Sequence, residues 1–378
     1  MKLAFIVSMF FEFGGMQRTL LRTALVCASR GHDVHLFAGE LRGEMPDGVT
    51  FHEVDTRAIT NHGSNKKLAA QLRKLVAGGD YDCIVGFTKL PGLDVYYAAD
   101  PCFAARVHEE LYPLMQLLPR YREMLRQERA VFDPAGNTEI LLINHAEREK
   151  FIHYYNTPPE RFHLLPPGIA RDRMASPESE SMRNEFRTEF QIGEDDQLLL
   201  LIGSNFQLKG LDRAIEAVRS LPPDLRSRVR LFSIGADEPE KFIKMARKHQ
   251  LDNQIRIFPG RKDIHRFLAG SDLLLHPARK ENTGTVILEA MVSGLPVLVS
   301  GACGYHRHVE KADAGVVLPE PFSQENMNNK LAYMLGSQKL QNWSSNGINY
   351  GKTEDLYSLI EKAADIIINR AIANRENS

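Results

Sequence analysis

The sequence predicts an α/β protein built from two doubly wound domains, each a parallel sheet with helices on both faces. The chain has 378 residues, which is more than one hydrophobic core usually serves, so two domains are expected. Short apolar runs of strand length alternate with longer segments of helical period, the order of elements found in parallel-sheet proteins. The alternation stops once near the middle of the chain and then starts again, which places the domain boundary there.

The first domain is predicted over residues 1–168 and opens with a strand, a helix and a strand at 3–8, about 17–29 and 34–37. Further strands are predicted at 50–54, 83–87, 95–99 and 139–144, with a helix at 67–76. This rhythm predicts a Rossmann-like domain, because parallel neighbouring strands need a long crossover that a helix usually supplies.

A second Rossmann-like domain is predicted over residues 169–354, beginning with a polar linker and surface helix at 171–196. Its strands are predicted at 198–202, 229–234, 255–258, 273–276 and 296–299, and its helices at 211–219, 241–249, 286–292, 324–335 and 340–350. The remaining segment, 355–378, contains a helical pattern at 355–373 that is long enough to return to the first domain and pack on it.

The composition is that of a folded globular protein without a nucleic-acid partner. Hydrophobic residues make up 43% of the chain and charged residues 25%, and 47 Lys and Arg balance 48 Asp and Glu. A formal charge of −1 provides no field for a polyanion. The four cysteines lie far apart without a C-x-x-C pair, which predicts neither disulfides nor a zinc site and fits a reducing cytoplasm. No run of 18 apolar residues occurs, so no membrane-spanning helix is expected.

Two strand ends of the first domain carry candidate binding residues. Gly14 and Gly15 lie between the first strand and the first helix, where a backbone without Cβ atoms lets a phosphate or sugar approach the helix N-terminus. Such a turn is equally common for structural reasons, and both interpretations stay open from the residues alone. Asp100 ends the strand at 95–99, where a carboxylate holds an acceptor, supports positive charge on a reacting sugar, or is an ordinary turn residue.

A stronger signal is the pair of carboxylates Glu281 and Glu289, eight positions apart around the start of a predicted helix. Between them, the turn through Thr283, Gly284 and Thr285 exposes backbone N–H groups that suit a diphosphate. Ionised carboxylates accept hydrogen bonds from vicinal diols, so one acid suits the hydroxyls of a sugar and the other those of a ribose. The alternative is two solvated helix acids, and the neighbouring motifs favour the binding site.

Turns at other strand ends of the second domain complete the predicted site. Lys209 follows the strand at 198–202, where a doubly wound fold binds its ligand and an ammonium group neutralises a departing phosphate. Gly235, Ala236 and Arg261 follow two further strands. Together with the turn at 166–168, these positions outline a cleft between the two domains.

In these motifs the chain resembles the glycosyltransferases of GT-B fold, and specifically the retaining, nucleotide-sugar-dependent family 4 with the E-x7-E signature. Segments beginning at Phe13, Thr60, Val85, Leu165 and Glu320 narrow the resemblance to the lipopolysaccharide core glucosyltransferases. The resemblance implies two Rossmann-like domains facing a central cleft, with the C-terminal helix returning to the first. It also implies UDP-glucose as donor, a heptose of the lipopolysaccharide inner core as acceptor, an α-linkage made with retention, and no metal or other cofactor.

The resemblance also implies residue roles. Gly15 is expected to contact the donor phosphate and sugar, Lys209 the diphosphate, Glu281 the glucose hydroxyls and Glu289 the ribose. Gly235, Ala236 and Arg261 are expected around the uridine, largely through backbone groups.

One position departs from the family pattern. The family often has an arginine five positions before the lysine, where this chain has Ser204, and the neighbouring Leu208 adds no cation. The diphosphate charge must then be met by Lys209, helix N–H groups and Arg173, which follows the turn at 166–168.

A membrane-facing helix is predicted at 117–131, LLPRYREMLRQERAV, which carries four Arg and two Glu. At helical spacing, positions 117, 118, 121, 124 and 125 form an apolar stripe beside a basic face, the pattern of a helix attracted to anionic lipid. A surface helix packed on its own domain is the alternative. The resemblance favours the membrane, since a lipid-anchored acceptor is met at the cytoplasmic face of the inner membrane.

Two other functions share this fold. An epimerase would act on a UDP-sugar without an acceptor, and a non-catalytic binding protein would account for Ser204. A nicotinamide dehydrogenase is disfavoured because neither domain has a G-x-G-x-x-G motif followed by a ribose-binding acid. The one D-x-D candidate for a metal, Asp80 with Asp82, precedes its strand and is predicted to be a solvated turn.

Overall fold

The computed structural model describes residues 1–11, 14–42, 46–56, 61–78 and 81–377. The chain divides into two compact units, one of Met1–Gly168 with Ser358–Ser378 and one of Ile169–Tyr357. Three residues named in the sequence analysis, Phe13, Thr60 and Asp80, lie outside the described residues.

The first unit contains a seven-stranded parallel sheet of order β3-β2-β1-β4-β5-β6-β7. Its strands are β1 Lys2–Val7, β2 Asp33–Ala38, β3 Thr50–Glu53, β4 Cys83–Gly86, β5 Val95–Ala98, β6 Glu139–Leu142 and β7 Phe162–Leu164. Every residue of β4 and β5 is buried, because helices cover both faces of a parallel sheet. From β1 the chain adds β2 and β3 on one side of the sheet and then crosses to β4 on the other side. The switch point of the sheet therefore lies between β1 and β4.

Five α-helices accompany this sheet in the described part of residues 1–168. They are α1 Gly15–Ser29, α2 Asn61–Ala77, α3 Phe103–Ala105, α4 Pro119–Phe132 and α5 His145–Tyr155. A π-helical turn over Arg106–Glu110 and a 3-10 turn over Pro113–Leu117 connect α3 to α4.

Helix α4 corrects the predicted apolar stripe at 117, 118, 121, 124 and 125. Tyr121 is 7% exposed and stacks on Phe103, with ring centroids 5.9 Å apart, and Leu125 packs on the same cluster. Residues 117–118 and Met124 are exposed instead. The single stripe is wrong for two reasons. The chain enters α4 from a 3-10 turn, so residues 117–118 do not continue the helical spacing, and within α4 the buried face runs through Tyr121, Glu128 and Phe132 and leaves Met124 exposed.

The second unit contains a six-stranded parallel sheet of order β10-β9-β8-β11-β12-β13. Its strands are β8 Gln197–Ile202, β9 Val229–Ile234, β10 Ile255–Phe258, β11 Leu273–His276, β12 Val297–Ser300 and β13 Gly315–Leu318. Here β8 and β11 are neighbours although two strands separate them in sequence, so the switch point lies between them.

Ten helices accompany this sheet. They are α6 Ser179–Phe190, α7 Phe206–Lys209, α8 Leu211–Ser220, α9 Pro223–Arg228, α10 Glu240–Lys248, α11 Ile264–Gly270, α12 Thr285–Val292, α13 His306–Ala312, α14 Gln324–Leu335 and α15 Leu340–Thr353. Among all described residues, no helix is both long enough and apolar enough to cross a membrane.

The last helix, α16 Leu359–Glu376, belongs to the first unit, as the sequence predicted. It packs beside α1 through a stripe of Ile360, Ala364, Ile367 and Ala371, all buried. This spacing keeps one face toward the sheet. Burial of each Ile side chain contributes about 1.5–3 kcal/mol, which holds the chain terminus on the first unit.

Some elements escaped the sequence analysis, namely β7, β13, α5, α11, α13 and the short helices α3, α7 and α9. The strand β13 has only one fully buried residue in four, so its hydrophobic pattern is weak. Asn144, placed at the end of a predicted strand, is instead the N-cap of α5, where its side chain accepts a hydrogen bond from the Ala146 N–H at 3.0 Å.

Candidate active site

The candidate active site lies at the carboxyl ends of β8 and β11, the two strands beside the switch point of the second sheet. Ligands bind at this edge in doubly wound sheets because the connecting loops leave in opposite directions there. The chain after β8 runs through Gly203 into α7, which ends at Lys209, and β11 ends at His276. A Cβ atom at Gly203, where φ is +146°, would lie 3.0 Å from the Lys209 Cε, so glycine lets the lysine stem cross this turn.

Lys209 and Glu281 form an ion pair in which the lysine Nζ donates to a carboxylate oxygen. Their side chains are only 17% and 16% exposed. The Glu281 backbone is held on both sides, because its N–H donates to the Ala302 carbonyl at 3.2 Å and its carbonyl accepts from the Gly304 N–H at 3.0 Å. The two residues predicted for diphosphate and sugar therefore stand together, with Glu281 on a rigid backbone.

The N-terminus of α12 follows this pair. Gly284 has φ +88°, a left-handed conformation that favours glycine, and α12 begins at Thr285. The Thr283 carbonyl accepts a hydrogen bond from the Tyr305 N–H at 2.9 Å, which secures the turn before the helix. The first N–H groups of a helix lack intrahelical acceptors and suit an anion. Glu289 lies in the second turn of the same helix and is half-buried.

Arg173 ends a 3-10 turn that packs against α12. Its side chain is 12% exposed, and its Nε and Nη1 atoms are buried without a hydrogen-bond partner among the described residues. The Asp172 carboxylate lies 3.5 Å from Nη1. A guanidinium group with unsatisfied donors is suited to a diphosphate, which is the ligand predicted for Arg173.

His276 is a site residue that the sequence analysis missed. It is 1% exposed, and both ring nitrogens are without a hydrogen-bond partner in the described part of the chain. Its Nε2 atom lies 3.6 Å from the Glu281 carboxylate. Burial, with a smaller effect of the Lys209 charge, lowers the pKa of His276 to about 3, so the ring is neutral near pH 7. The only sequence signal was a polar residue at the end of an apolar strand.

The turn after β9 uses its N–H groups within the domain. The Gly235 N–H donates to the Phe258 carbonyl at 3.1 Å, and the Ala236 N–H donates to the Ser204 hydroxyl at 3.1 Å. Ser204 thus ties the ends of β8 and β9 together at the position where the family often has an arginine. The predicted uridine contacts of Gly235 and Ala236 would need groups other than these two N–H donors.

Arg261 is already paired inside its own loop. Its guanidinium donates two bonds to the Asp263 carboxylate, each 2.7 Å long, and lies 5.0 Å from the Phe267 ring centroid. The hydrogen bonds to Asp263 raise the pKa of the Arg261 guanidinium. The expected contact of Arg261 with the uridine, through backbone groups, stays a prediction.

In the first unit, Gly14 and Gly15 form the start of α1 at the switch point of the first sheet. Gly14 is the N-cap, and a Cβ atom there would overlap the Gln17 side chain at 1.8 Å. A Cβ atom at Gly15, which is exposed, would meet no other atom of the described residues within 4 Å. Asp100 is exposed at the end of β5.

Asp82 is engaged in structural bonds. Its carboxylate accepts from the Lys2 N–H and from Arg375 Nε, both at 2.7 Å. Within the described residues, no three His, Cys, Asp or Glu side chains are grouped so that they could hold a metal ion.

Two parallel α/β units with a lysine–carboxylate pair at the switch point of the second are the arrangement that the sequence analysis expected of a two-domain glycosyltransferase. Residues 13–173 match the model of Glycosyltransferase Family 4, and residues 182–350 match that of Glycosyl transferases group 1. The chain is 42% identical over 368 residues to the lipopolysaccharide glucosyltransferase WaaG of Escherichia coli K12, which covers 97% of this chain and 98% of that protein. It therefore belongs to the glycosyltransferase family that includes WaaG.

Solved structures agree with this assignment. A crystal structure of WaaG, described as a glycosyltransferase of lipopolysaccharide biosynthesis, matches with a TM-score of 0.91 at 42% identity, covering 97% of this chain and 99% of that one. The Anabaena protein Alr3699/HepE, solved with UDP and glucose, matches with a TM-score of 0.72 at 19% identity, covering 98% of this chain and 100% of that one. The first match shows that the chain has the GT-B fold, and the second shows likeness of fold alone.

Proposed function

We propose that this chain transfers glucose from UDP-glucose to a heptose of the lipopolysaccharide inner core, forming an α-linkage with retention and without a metal ion. The observation that carries the proposal is the half-buried Lys209–Glu281 pair beside the N-terminus of α12. The name of the WaaG relative supports the reaction and the acceptor class.

Residues of the second unit account for donor binding. Lys209, Arg173 and the first N–H groups of α12 hold the diphosphate, because all three present positive charge or unsatisfied donors. Glu281 accepts hydrogen bonds from glucose hydroxyls and Glu289 from those of the ribose. The ion pair must loosen when the donor binds, since the Lys209 ammonium cannot serve both anions fully.

The transfer step is a same-face displacement. The bond between the glucose anomeric carbon and the diphosphate oxygen breaks, and the acceptor oxygen bonds to the same face of that carbon. The acceptor hydroxyl proton passes to the departing diphosphate oxygen. Lys209 and the helix N–H groups stabilise the charge that develops there, so catalysis rests on positioning and electrostatic support.

The first unit is assigned to the acceptor. Asp100 is exposed beyond β5 and is available to a sugar hydroxyl or to positive charge at the anomeric carbon. Gly15 is exposed at the start of α1, where the donor phosphate and sugar are expected.

Association with an anionic membrane surface is part of the proposal. Tyr112, Leu114 and Leu117 are 83%, 77% and 68% exposed, and Arg120 and Arg122 beside them are exposed as well. We call residues 112, 114, 117, 118, 120, 122 and 124 the basic apolar patch. Apolar side chains next to arginines favour a lipid interface with anionic headgroups. A patch of this kind would bring the enzyme to a lipid-anchored acceptor on the cytoplasmic face of the inner membrane.

The test is UDP release from UDP-glucose, with UDP-galactose and UDP-N-acetylglucosamine alongside, with and without truncated heptose-bearing lipopolysaccharide and with and without a chelator. We expect release from UDP-glucose that depends on the acceptor and survives the chelator. A new UDP-sugar without acceptor would identify an epimerase instead. Binding of UDP-glucose without any turnover would identify a binding protein.

A further inference from the structure

The buried ring of His276 makes no hydrogen bond among the described residues, although it lies at the centre of the candidate active site. Leaving a buried polar group unpaired costs free energy, and native proteins satisfy the great majority of such groups. Nδ1 and Nε2 of His276 are both unsatisfied, and the residue is 1% exposed. An unsatisfied donor in this position therefore calls for a partner that arrives or moves during the reaction.

The Glu281 carboxylate lies 3.6 Å from Nε2 of the ring. That distance is slightly longer than a hydrogen bond, and a movement of about 0.7 Å would bring it to the usual N–H···O length. The same oxygen of the Glu281 carboxylate, Oε2, meanwhile accepts the Lys209 ammonium group. His276 thus stands next to a carboxylate whose present partner is a lysine.

Diphosphate binding changes this balance. In the proposed function, on which this inference rests, the Lys209 ammonium moves its interaction to the diphosphate. The Glu281 carboxylate then faces an anion without its cation, and it needs another donor to stay ionised and oriented toward the sugar. A neutral imidazole with its proton on Nε2 supplies that donor without adding a second positive charge.

We propose that His276 is a positioning residue that takes over the Glu281 carboxylate by an Nε2–H hydrogen bond when Lys209 turns to the donor diphosphate. The rigid Glu281 backbone limits the movement needed, because both of its peptide groups are already bonded to the loop before α13. The position of His276 at the end of β11, buried in the middle of the sheet, gives the ring a fixed platform.

The test compares His276→Gln with His276→Met, two side chains of nearly equal length of which only glutamine retains an N–H donor. We expect His276→Met to lower kcat about 10- to 100-fold while the KM for UDP-glucose changes less than about threefold, as loss of a hydrogen bond to a charged group would do. His276→Gln should stay within about threefold of the wild-type kcat. Thermal unfolding of both variants checks that they fold alike.

A matched control is His163→Met, because His163 is a half-buried histidine that bonds the Glu139 carboxylate at 2.6 Å on the edge strand β7 of the first unit. It should leave kcat unchanged. In a Glu281→Ala background, the difference between Gln and Met at position 276 should vanish, which a double-mutant cycle measures.

Three results would overturn the inference. They are equal kcat values for the two His276 variants, a loss that appears in KM alone, or a difference that persists without Glu281. If wild-type protein releases no UDP in the presence of acceptor, the proposed function fails instead. The ¹⁵N resonance of His276 Nε2 on addition of UDP gives a second readout, and an unchanged resonance in a turnover-competent enzyme would also contradict the inference.

Discussion

At the residue scale, Glu281 and Glu289 have different surroundings although they belong to one motif. Glu281 lies in a loop with its backbone bonded on both sides and its carboxylate on Lys209. Glu289 lies inside α12. Glu281 competes with the diphosphate for Lys209, whereas Glu289 only binds the donor. Substitution by alanine should therefore affect turnover and UDP affinity differently at the two positions.

Glu281→Ala should lower turnover at least about 100-fold while UDP affinity is retained or raised, because the substitution frees Lys209 for the diphosphate. Glu289→Ala should weaken UDP affinity about tenfold, because it removes the acceptor of the ribose hydroxyls. Calorimetric titration with UDP and acceptor-dependent turnover measure the two quantities. Equal effects of both substitutions on both quantities would contradict this division of roles.

Gly15→Ala should fold as the wild type does, since a Cβ atom there is free of contacts within 4 Å in the described part of the chain. If the donor lies beside Gly15, the added methyl group should raise the KM for UDP-glucose about tenfold or more. Gly14→Ala is the contrasting variant, because its Cβ atom would overlap Gln17 and cost stability. An unchanged KM for UDP-glucose in a stably folded Gly15→Ala protein would show that Gly15 does not contact the donor.

The lowered pKa of His276 also predicts how the free energy of unfolding depends on pH. Its folded pKa of about 3 lies below the ordinary value of 6.5, so the unfolded chain binds the proton first as pH falls. The stability contribution is complete above about pH 6.5 and is lost progressively toward pH 3, by up to about 1.4 kcal/mol per pH unit. Denaturant unfolding of wild type and His276→Met at pH 7, 6 and 5 should show a shallower decline in the variant. Parallel curves would refute this assignment.

At the scale of elements, α4 connects the basic apolar patch to the loop that follows Asp100. Glu128 in α4 is completely buried. Its carboxylate accepts from the Phe103 and Ala104 N–H groups, both at 2.8 Å, and from the Tyr155 hydroxyl at 2.7 Å, and it pairs with Lys89. One side chain thus holds the start of α3 on α4.

Glu128→Gln should destabilise the first unit by about 3–5 kcal/mol, because it leaves the Lys89 cation buried without its carboxylate and turns an amide donor toward other donors. Hydrogen exchange should accelerate over residues 100–110 in particular. Glu123→Gln, a similar change in the same helix next to the exposed Arg126, should cost about 1 kcal/mol. Equal protection of residues 100–110 in the two variants would show that Glu128 does not hold this loop.

At the scale of the whole molecule, a chain of formal charge −1 presents one basic apolar patch on its first unit. In α4, Glu128 is fully buried, and Glu123, which is 5% exposed, is bonded to Arg126 rather than to the two arginines of the patch, Arg120 and Arg122. The local charge of this surface differs from the net charge of the chain because folding buries the carboxylates of α4 and leaves its arginines exposed.

Leu114→Ser with Leu117→Ser, and separately Arg120→Glu with Arg122→Glu, should each reduce retention on anionic vesicles at low salt about tenfold or more. Turnover on a soluble truncated acceptor should be unchanged, since the patch lies outside the proposed catalytic residues. Ile372→Ser is the control, because this side chain is 44% exposed and apolar but lies outside the patch. Retention that survives both double substitutions would exclude the patch as the membrane contact.

The sequence by itself determined that there are two parallel sheets. Strands that are buried on both faces appear in the sequence as short apolar runs, and helical segments separate these runs. It also determined the local motifs around Glu281, Gly284 and Glu289, since their spacing is set within one loop and one helix. Short, half-buried edge elements such as β13 gave too weak a pattern to predict.

Only the tertiary structure decided which side chains meet. Lys209 and Glu281 are 72 positions apart, and they pair because the sheet order makes β8 and β11 neighbours. The same order buries His276 against their ion pair, and the 3-10 turn before α4 moves residues 117–118 out of the predicted stripe. Spacing along a chain determines local periodicity, whereas contacts between distant segments depend on the order in which strands pair.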